Sequence, residues 1–354
     1  MKIVDQPIRW GILGTGKIAR AFALGLREIP DAILVAVGSR SRYGADKFGR
    51  EFDVGHRHAS YQALAIDPEV DVIYIATPHA LHAENSLLCL DAGKHVLCEK
   101  PFTMNLREAK KVLVLARQKN LFLMDAMWTR FLPVMVEAKR IIASGEIGKV
   151  RQIQSDFGFV GDFDPEHRLN NPELGGGALL DIGIYPLSIS TFFLGPVDAV
   201  QAVAEMGTTG VDEHTAFSLH HSGGGVSSCI CSTRVASPTE MTISGELGYL
   251  RLHTRFHHSD NLTVTLKDGS TYTVQCPYLG NGYAHEAIEV MRCLRVGLIE
   301  SPVMAHDEML AEMNILDMIR AQIGLSYPSD CDGQPDRIGP ILARQRNGCA
   351  NTIR

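Results

Sequence analysis

The sequence lacks the features that mark several large classes of proteins. It has no Lys/Arg-rich run, and its 34 basic and 40 acidic residues give a net charge of −6, which offers no electrostatic basis for binding nucleic acid. It also lacks an apolar stretch of the roughly 18 uninterrupted residues that a membrane helix needs, and its first residues do not have the layout of a cleavable signal peptide. We therefore expect a cytoplasmic protein with neither nucleic acid nor a membrane as a partner.

Patterns of cysteine and histidine that indicate disulfides or metal sites are also missing. The eight cysteines show no C-x-x-C spacing, and most lie in apolar runs, so we expect free buried thiols. Cys229 and Cys231 share one strand face, where two small apolar side chains pack well. None of the 14 histidines has H-E-x-x-H or another ligand spacing. The sequence therefore predicts no bound metal.

The first part of the chain alternates short apolar runs with amphipathic stretches of helical length. From Ile8 to about Met124, runs such as "IRWGIL" and "VDVIYIAT" precede stretches such as "IARAFALGLREI" and "LREAKKVLVLARQKN". This rhythm indicates repeated βα units, which form an open parallel sheet with helices on both faces. We predict a Rossmann-type dinucleotide-binding domain over residues 1–126.

The later part of the chain has a different pattern. Between Lys149 and Val274 many runs alternate apolar and polar residues at period two, which indicates a large, open, mostly antiparallel sheet. One helical stretch, "GGALLDIGIYPLSISTFFLG", interrupts the sheet, and two helices follow at about 284–296 and 306–323. The fold class is thus α/β plus α+β, with a substrate and dimerisation domain over 127–328 and an irregular tail over 329–354.

A glycine motif follows the first predicted strand directly. In "WGILGTGKIARAF", Gly14, Gly16 and Ala19 form G-x-G-x-x-A at the start of a helix. Gly14 permits the tight turn, Gly16 lets the backbone approach a pyrophosphate, and Ala19 lets helix and strand pack closely. The context on both sides of the motif indicates dinucleotide binding.

The end of the second predicted strand bears on the choice of dinucleotide. An NAD site usually has Asp or Glu there to bind the ribose hydroxyl groups, whereas this chain has "VAVGSRSRY", with Ser39, Arg40 and Arg42. A hydroxyl and guanidinium groups can bind the 2′-phosphate of NADP. The sequence therefore favours NADP and leaves NAD open as the alternative.

Two further strand ends carry polar residues, in "YIATPHALHAE" and "LCEKPF". Ligands of open α/β sheets bind outside the carboxyl ends of the strands, so we expect Thr77, His79, Glu99 and Lys100 at the ligand edge. Taken alone, Lys100 reads equally well as a strand-end charge that reaches solvent and as a catalytic group. The peptide bond before Pro101 is a candidate for the cis form.

In this order and spacing, the motifs resemble those of the glucose-fructose oxidoreductase and inositol dehydrogenase (Gfo/Idh/MocA) family. The resemblance rests on the glycine fingerprint, on "EKP" after the fifth strand and on "GGGALLDIGIYPL" in the second half, and it covers residues 8 to about 328. "FLMDAMWTRFLP" and "LGGGALLDIGIYPLS" are most similar to the dimeric dihydrodiol dehydrogenases, which also oxidise D-xylose with NADP. The resemblance implies that the catalytic residues are Lys100, Asp181 and Tyr185.

The chemistry of these three residues agrees with that implication. Asp181 and Tyr185 are four residues apart, so on a helix they share one face. Oxidation of a C–OH group needs a proton acceptor, and a phenol needs a neighbouring cation to serve near neutral pH. We predict Tyr185 as the general acid/base, Lys100 as its electrostatic partner and Asp181 as the orienting group; an exchange of roles between Lys100 and Tyr185 stays open.

The remaining site predictions follow from position. Trp128 and Arg130 lie just past the last Rossmann strand, where they could line the substrate site or pack between the domains. Arg168 could reach the cofactor or the substrate, although a surface residue is the favoured reading. The full set of predicted cofactor-binding residues is Gly14, Gly16, Lys17, Ile18, Ser39, Arg40, Arg42, Thr77, His79, His82, Glu99 and Lys100. The predicted substrate-binding residues are Trp128, Arg130, Phe157, Asp181 and Tyr185.

Two classes of function stay open at this point. The first is an NADP-dependent oxidoreductase of a cyclic polyol, either an aldopyranose such as D-xylose or a trans-dihydrodiol; run in reverse, the same site would reduce a sugar ketone or a dicarbonyl. The second is a dinucleotide-binding sensor or regulatory protein of the same fold, which the presence of a proton acceptor disfavours. An antiparallel sheet with one uncovered face predicts a homodimer.

Overall fold

A computed structural model of the chain describes residues 6–161 and 164–330. The N-terminal part contains a six-stranded sheet of order β3-β2-β1-β4-β5-β6, and every strand pair in it is parallel. This confirms the predicted Rossmann architecture. Its elements are β1 (Ile8–Leu13), α1 (Lys17–Leu26), β2 (Ala32–Gly38), α2 (Arg42–Phe52), β3 (His56–His58), α3 (Tyr61–Ala65), β4 (Val72–Ile75), α4 (His82–Asp91), β5 (His95–Glu99), α5 (Leu106–Lys119) and β6 (Leu123–Ala126).

The central strands of this sheet are mostly buried on both faces, as continuous apolar runs require, whereas β3 and the first half of β2 are partly exposed. All four residues of β4 are buried, and the ring of Phe22 stacks on Tyr74 at 3.8 Å between centroids, with Trp10 edge-on to Phe22 at 5.3 Å. The short elements β3 and α3, of three and five residues, had no periodicity from which the sequence could predict them.

The second part contains an eight-stranded sheet of order β14-β13-β12-β11-β7-β10-β9-β8. Only β7 and β10 pair in parallel; the other pairs are antiparallel, as predicted. The elements here are α6 (Pro133–Ala143), β7 (Val150–Gly158), α7 (Ile184–Leu194), β8 (Val197–Met206), β9 (Asp212–His221), β10 (Val226–Ser232), β11 (Met241–Gly245), β12 (Gly248–Leu252), β13 (Asn261–Leu266), β14 (Thr271–Gln275), α8 (Ala284–Val296) and α9 (His306–Ile323).

The two faces of this sheet differ in burial. Residues of β10 alternate between exposed and buried, and the buried ones face α7. The other face leaves apolar side chains in solvent: Val203 is 71% exposed and Ile230 is 46% exposed. An exposed apolar sheet face of this kind is what the sequence predicted for the second domain. We propose that the first domain ends at residue 126 and the second at residue 328.

The apolar helical stretch over residues 172–194 lies inside the molecule. Among the described residues, it is the one helical segment long and apolar enough to cross a membrane, and 78% of its apolar window is buried within the fold. Burial of this kind is typical of a core helix, which explains the absence of a polar face.

Six of the eight cysteines lie in the described residues, and all six are free and buried, as predicted: Cys89, Cys98, Cys229, Cys231, Cys276 and Cys293. The other two, Cys331 and Cys349, lie outside the described residues.

Arg130 is buried in a polar network. Its side chain is fully buried; its guanidinium donates to Glu312 and Glu308, each at 2.5 Å, and to the hydroxyl and carbonyl oxygens of Ser188, each at 2.9 Å. Its donors join the turn after β6 to α7 and α9, a geometry that fits the alternative of a packing role. Substrate binding by Arg130 stays a prediction.

We predict that Arg130→Met lowers the free energy of unfolding by about 3–5 kcal/mol, because it leaves the buried carboxylate of Glu312 without its cation. Denaturant unfolding measures the change. Arg140→Met is the matched control, since Arg140 pairs with Glu137 at the surface and such pairs contribute at most about 1 kcal/mol. Equal losses in the two variants would contradict the structural role of Arg130.

Candidate active site

The glycine turn between β1 and α1 has the geometry that a dinucleotide-binding loop requires. Gly14 has φ +110°, and a Cβ atom there would lie 2.6 Å from the carbonyl oxygen of Ala76, at the end of β4. Gly16 is exposed at the start of α1, and a Cβ there would meet nothing within 4 Å. The open space beside Gly16 lies at the N-terminus of α1, next to Lys17 and Ile18. The first N–H groups of a helix have no partner within the helix, so a pyrophosphate would fit in this space.

The carboxyl end of β2 leads into the segment predicted to bind a 2′-phosphate. Ser39 is buried, whereas Arg40 and Arg42 are exposed at the start of α2. The guanidinium of Arg42 donates to the carbonyl oxygen of Arg57 at 2.8 Å. No acidic residue lies between the end of β2 and the start of α2, so this edge carries hydroxyl and guanidinium groups as the sequence indicated.

Lys100 extends from the end of β5 to the second half of the molecule. Its ammonium donates to the carbonyl oxygen of Asp181 at 2.6 Å, and it lies 3.4 Å from the Asp181 carboxylate. It also lies 4.9 Å from the centroid of the Tyr185 ring, which is a cation–π distance. The peptide bond between Lys100 and Pro101 is cis. The predicted catalytic residues thus form one contact cluster.

Asp181 is the electrostatic centre of this cluster. Its carboxylate accepts from both terminal nitrogens of Arg168, at 2.9 and 3.3 Å, and lies 3.7 Å from His79. Burial alone would raise the pKa of Asp181, but the cations of Lys100 and Arg168 outweigh it and hold that pKa below its usual range. Asp181 is therefore ionised. Arg168 is about half exposed, as expected of a surface residue, and it also contacts this cluster.

The backbone that carries Asp181 departs from the predicted regular helix. Leu179–Gly183 form a π-helical turn, and α7 begins only at Ile184. A Cβ at Gly183 would lie 2.8 Å from the sulfur of Cys231, so this close approach to β10 requires glycine. Such π turns often occur at functional sites. Here the turn gives Asp181 a carbonyl oxygen that is directed at Lys100.

Tyr185 is buried, and its hydroxyl accepts a hydrogen bond from the indole N–H of Trp128 at 3.2 Å. Burial, followed by the negative charge of Glu99, raises the pKa of Tyr185 well above 10. The phenol is consequently protonated at neutral pH. The ammonium of Lys100 lies over the face of the Tyr185 ring.

Aromatic rings surround Tyr185 on the side of the second sheet. His257 stacks on Phe157 at 4.4 Å between centroids, and Trp128 stacks on Tyr283 at the same distance. Burial lowers the pKa of His257 to about 3, and its Nδ1 atom is buried without a hydrogen-bond partner among the described residues. Trp128 and Phe157 both lie against Tyr185, and their contact with a substrate stays a prediction.

The sequence analysis missed His257 and Tyr283. His257 lies on a short 3₁₀ turn about 70 residues after Tyr185, and Tyr283 directly precedes α8, about 100 residues after Tyr185. Only the tertiary fold brings these two residues to Tyr185. The "HH" pair at 257–258 was a visible signal, but alternation along an assumed strand obscured its meaning.

Two predicted cofactor contacts at the strand ends have other partners. His82 is fully buried, and its two ring nitrogens lie 2.8 and 3.0 Å from the carbonyl oxygens of Pro101 and Thr77. His82 thus connects two loops, and its contact with the cofactor stays a prediction. His79 lies 3.0 Å from the carbonyl oxygen of Gly175, and burial lowers its pKa to about 3. Its neutral ring faces the second half of the molecule.

Glu99 belongs to a buried acidic region behind Lys100. Its carboxylate accepts from the hydroxyl of Tyr74 and from the backbone N–H of Lys100. Burial raises the pKa of Glu99 to about 7, against the lowering effect of Lys100. Burial also raises the pKa of Glu286 and Asp125 well above their usual values. Burial thus favours the protonated form of each of these acids, and a cofactor contact by Glu99 remains a prediction.

Two family models match the chain. An oxidoreductase family with an NAD-binding Rossmann fold matches residues 8–126, and the GFO/IDH/MocA C-terminal domain matches residues 135–251. The two matches coincide with the parallel sheet and with most of the antiparallel sheet.

Curated relatives match over nearly the full length of the chain. Trans-1,2-dihydrobenzene-1,2-diol dehydrogenase of Danio rerio is 36% identical over 335 residues, with 92% of this chain and 99% of that protein covered. D-xylose 1-dehydrogenase (NADP(+)) of Hypocrea jecorina is 33% identical over 369 residues, with 91% and 93% covered.

Solved structures share the fold. Aldose-aldose oxidoreductase from Caulobacter crescentus, complexed with glycerol, superposes with a TM-score of 0.83 at 25% identity and covers 90% of this chain and 97% of its own. A 3-ketoreductase from Actinomadura kijaniata, in complex with NADP and TDP-benzene, superposes with a TM-score of 0.80 at 26% identity, with 90% and 98% covered.

We predict different outcomes for alanine at the two glycines of the first turn. Gly14→Ala forces a Cβ against Ala76 at positive φ, so it should destabilise the fold by about 1–3 kcal/mol and weaken dinucleotide binding. Gly16→Ala should leave stability unchanged and lower the affinity for a reduced dinucleotide at least about tenfold, because the methyl group occupies the space that fits phosphate.

Denaturant unfolding and fluorescence titration measure the two effects. Gly55→Ala is the control, since a Cβ there also meets nothing within 4 Å and the position lies away from the glycine turn. If Gly16→Ala binds the dinucleotide as tightly as the wild type does, the proposal that phosphate occupies the space beside Gly16 is wrong.

Proposed function

The chain belongs to the GFO/IDH/MocA oxidoreductase family, and on that premise we propose that it is an NADP-dependent dehydrogenase of a cyclic polyol. It transfers hydride between the nicotinamide and an aldopyranose such as D-xylose or a trans-dihydrodiol. The observation that carries the proposal is the meeting of Lys100, Asp181 and Tyr185 outside the carboxyl end of the parallel sheet, where such sheets bind ligands.

The residues that would hold NADP fit its charged groups. The turn of Gly14 and Gly16 leaves the N-terminus of α1 open, where it would bind a pyrophosphate. Ser39, Arg40 and Arg42 would bind the 2′-phosphate, which a carboxylate at this position would repel. When bound, NADP accepts or donates the hydride. The use of NADP by the xylose dehydrogenase relative supports the same preference here.

Tyr185 and Lys100 would exchange the hydroxyl proton of the substrate. With its raised pKa, Tyr185 is a proton donor in reduction and needs a cation near its oxygen to act as a base in oxidation. The ammonium of Lys100 is the closest such group described, above the same ring. A substrate hydroxyl placed between the phenol and the ammonium would receive hydrogen bonds from both.

Asp181 would keep Lys100 directed at the substrate. Its ionised carboxylate and its carbonyl oxygen hold the ammonium from one side, and Arg168 balances the remaining negative charge. Because His79 is neutral, it adds no positive charge to compete with Lys100 for the carboxylate. Asp181 thus acts by positioning, and ionised Asp181 offers one oxygen as an acceptor for a second substrate hydroxyl.

The aromatic residues supply the substrate surface. The rings of Trp128, Phe157 and Tyr283 present flat apolar faces, which pack against the C–H faces of a pyranose or the ring of a dihydrodiol. The unpartnered Nδ1 of His257 is neutral at physiological pH and can pair with a substrate hydroxyl. A surface of mixed apolar faces and single polar atoms matches a polyol better than an anionic ligand.

The alternative of a non-catalytic sensor receives no support from the site. A dinucleotide sensor requires the glycine turn and the phosphate residues, but it does not require an ionised carboxylate that holds a lysine above a tyrosine. The reverse reaction, reduction of a sugar ketone or a dicarbonyl with NADPH, uses the same groups, and the direction depends on the substrate supplied.

We also propose that the chain is a homodimer through the open face of the eight-stranded sheet. The exposed apolar residues of that face, such as Val203 and Ile230, would be buried by a second copy of the same surface. A mass of one chain in light scattering would contradict this. The cytoplasmic location stays a prediction, which cell fractionation would test.

We predict that Tyr185→Phe keeps NADPH affinity and lowers kcat by about 10²–10⁴-fold, because the proton-transfer group is lost. Since the pKa of Tyr185 is raised, its deprotonated form grows as pH increases, so oxidation by the wild type should accelerate with pH in the neutral to alkaline range. The variant should lose that dependence. A pH–rate profile with D-xylose and a trans-dihydrodiol as substrates measures both.

The control is Tyr272→Phe, which removes a surface hydroxyl bound to Glu146 and should change neither kcat nor the profile. If Tyr185→Phe retains wild-type kcat, the proposed role of the phenol is wrong. If the wild type binds NADPH but turns over no polyol, ketose or dicarbonyl, the proposed enzyme function is wrong.

We predict that Arg40→Ala raises the KM for NADP by about 10-fold or more, because a charge-assisted contact with the 2′-phosphate contributes about 1.5–3 kcal/mol. The KM for NAD should change by less than about threefold. Steady-state kinetics with both cofactors measures the ratio, and Arg50→Ala, an exposed residue in the last turn of α2, is the control. Equal increases for the two cofactors would remove the basis for NADP preference.

A further inference from the structure

Three side chains converge at the edge of the parallel sheet, away from Lys100 and Tyr185. Nδ1 of His56 and Nε2 of His58, both in β3, lie 2.7 and 2.8 Å from the same carboxylate oxygen of Asp67, which follows α3. The three atoms lie within 4.8 Å of one another. This is the one group of three potential metal ligands found in the described part of the chain.

We propose that His56, His58 and Asp67 form a binding site for a divalent transition metal ion, with Zn²⁺ as the reference ion. Imidazole nitrogen and carboxylate oxygen are the donors that such ions prefer, at about 2.0–2.2 Å. Two nitrogens and one oxygen would fill three positions of a tetrahedron. His56 is about half exposed, so water can take the fourth position.

Local structure holds the three ligands in place. His56 and His58 are two residues apart in a strand, so their side chains leave β3 on the same side. Asp67 is almost fully buried, and its other carboxylate oxygen accepts the backbone N–H of Glu69 at 2.9 Å. A carboxylate fixed in this way presents one oxygen to both rings.

The protons of the two rings can move to allow metal binding. Each imidazole contacts Asp67 through a different nitrogen, so the second nitrogen of each ring can carry the single proton of the neutral form. In the metal-free protein the carboxylate accepts hydrogen bonds from both rings; on binding, the ion replaces these two protons. The nitrogen–oxygen distances of 2.7 and 2.8 Å are shorter than the roughly 3.3–3.4 Å between neighbouring ligands about 2.0–2.1 Å from a tetrahedral ion, so the two rings would move back slightly from Asp67 on binding.

The site would also link the sheet edge to the segment that carries Arg40. The carbonyl oxygen of His58 accepts the backbone N–H of Ser39 at 3.0 Å, and the neighbouring carbonyl oxygen of Arg57 accepts from Arg42 at 2.8 Å. A bound ion would therefore fix β3 directly beside that segment. The inference does not depend on the proposed enzyme function, because its ligands are separate from the catalytic cluster.

This inference departs from the prediction of no bound metal. The pair His-x-His was visible in "GHRHAS", but the third ligand lies nine residues after His58, at a spacing that no common metal motif has. Only the pairing of β3 with β2 and the return of the chain through α3 bring Asp67 to the two histidines.

Isothermal titration of the chelator-treated full-length protein with ZnCl₂, and visible absorption with CoCl₂, test the site. We expect one ion per chain at this site in the wild type. His56→Ala and His58→Ala should each weaken binding at least about tenfold, since each removes one of three ligands, and the double variant should lose the cobalt absorption. His220→Ala is the matched control, because His220 pairs with a single carboxylate, that of Asp198, at 2.5 Å.

Circular dichroism of each variant separates a lost ligand from a lost fold, and both histidines lie at least partly in solvent, so the variants should fold. Zinc affinity of the folded double variant equal to that of the wild type would overturn the proposal. Weakening by His220→Ala equal to that by His56→Ala would also overturn it, because the binding would then be a property of scattered surface histidines.

Discussion

The contact between Lys100 and Asp181 is the interaction on which the site depends, because it joins the two sheets through one ammonium group. Lys100 ends a buried strand of the parallel sheet, and Asp181 lies in a π turn packed against the antiparallel sheet. The lysine donates at 2.6 Å to a backbone oxygen and lies 3.4 Å from the carboxylate. Neither half of the molecule contains the catalytic cluster alone, so docking of the halves creates it.

Charge distribution around this contact explains the state of each neighbour. Two cations, Lys100 and Arg168, keep Asp181 ionised in spite of its burial, whereas Glu99, with burial as the dominant effect, has a raised pKa. Tyr185 shares the buried environment and remains protonated. The site therefore holds an ionised acid that positions a cation and a neutral phenol that can donate a proton, two roles assigned by environment.

Local patterns in the sequence predicted the two sheets, the glycine turn and the two C-terminal helices, because periodicity and turn chemistry are local properties. They could not reveal the π turn at Asp181, whose geometry depends on the approach of Gly183 to Cys231 in another strand. They also could not reveal the carboxylate partners of Arg130, since Glu308 and Glu312 lie about 180 residues later. His257 joins the site only through tertiary packing.

The most direct test of the central claim is a double-variant cycle on kcat with Lys100→Met and Tyr185→Phe, measured with saturating NADP and D-xylose or a trans-dihydrodiol. If the lysine and the phenol act as one unit that Asp181 positions, the double variant should be no slower than the slower single variant, because residues that act together lose their effect together. If the decrease in kcat of the double variant equals the product of the two single decreases, the lysine and the phenol act independently. That result would contradict the proposed joint role of Lys100 and Tyr185.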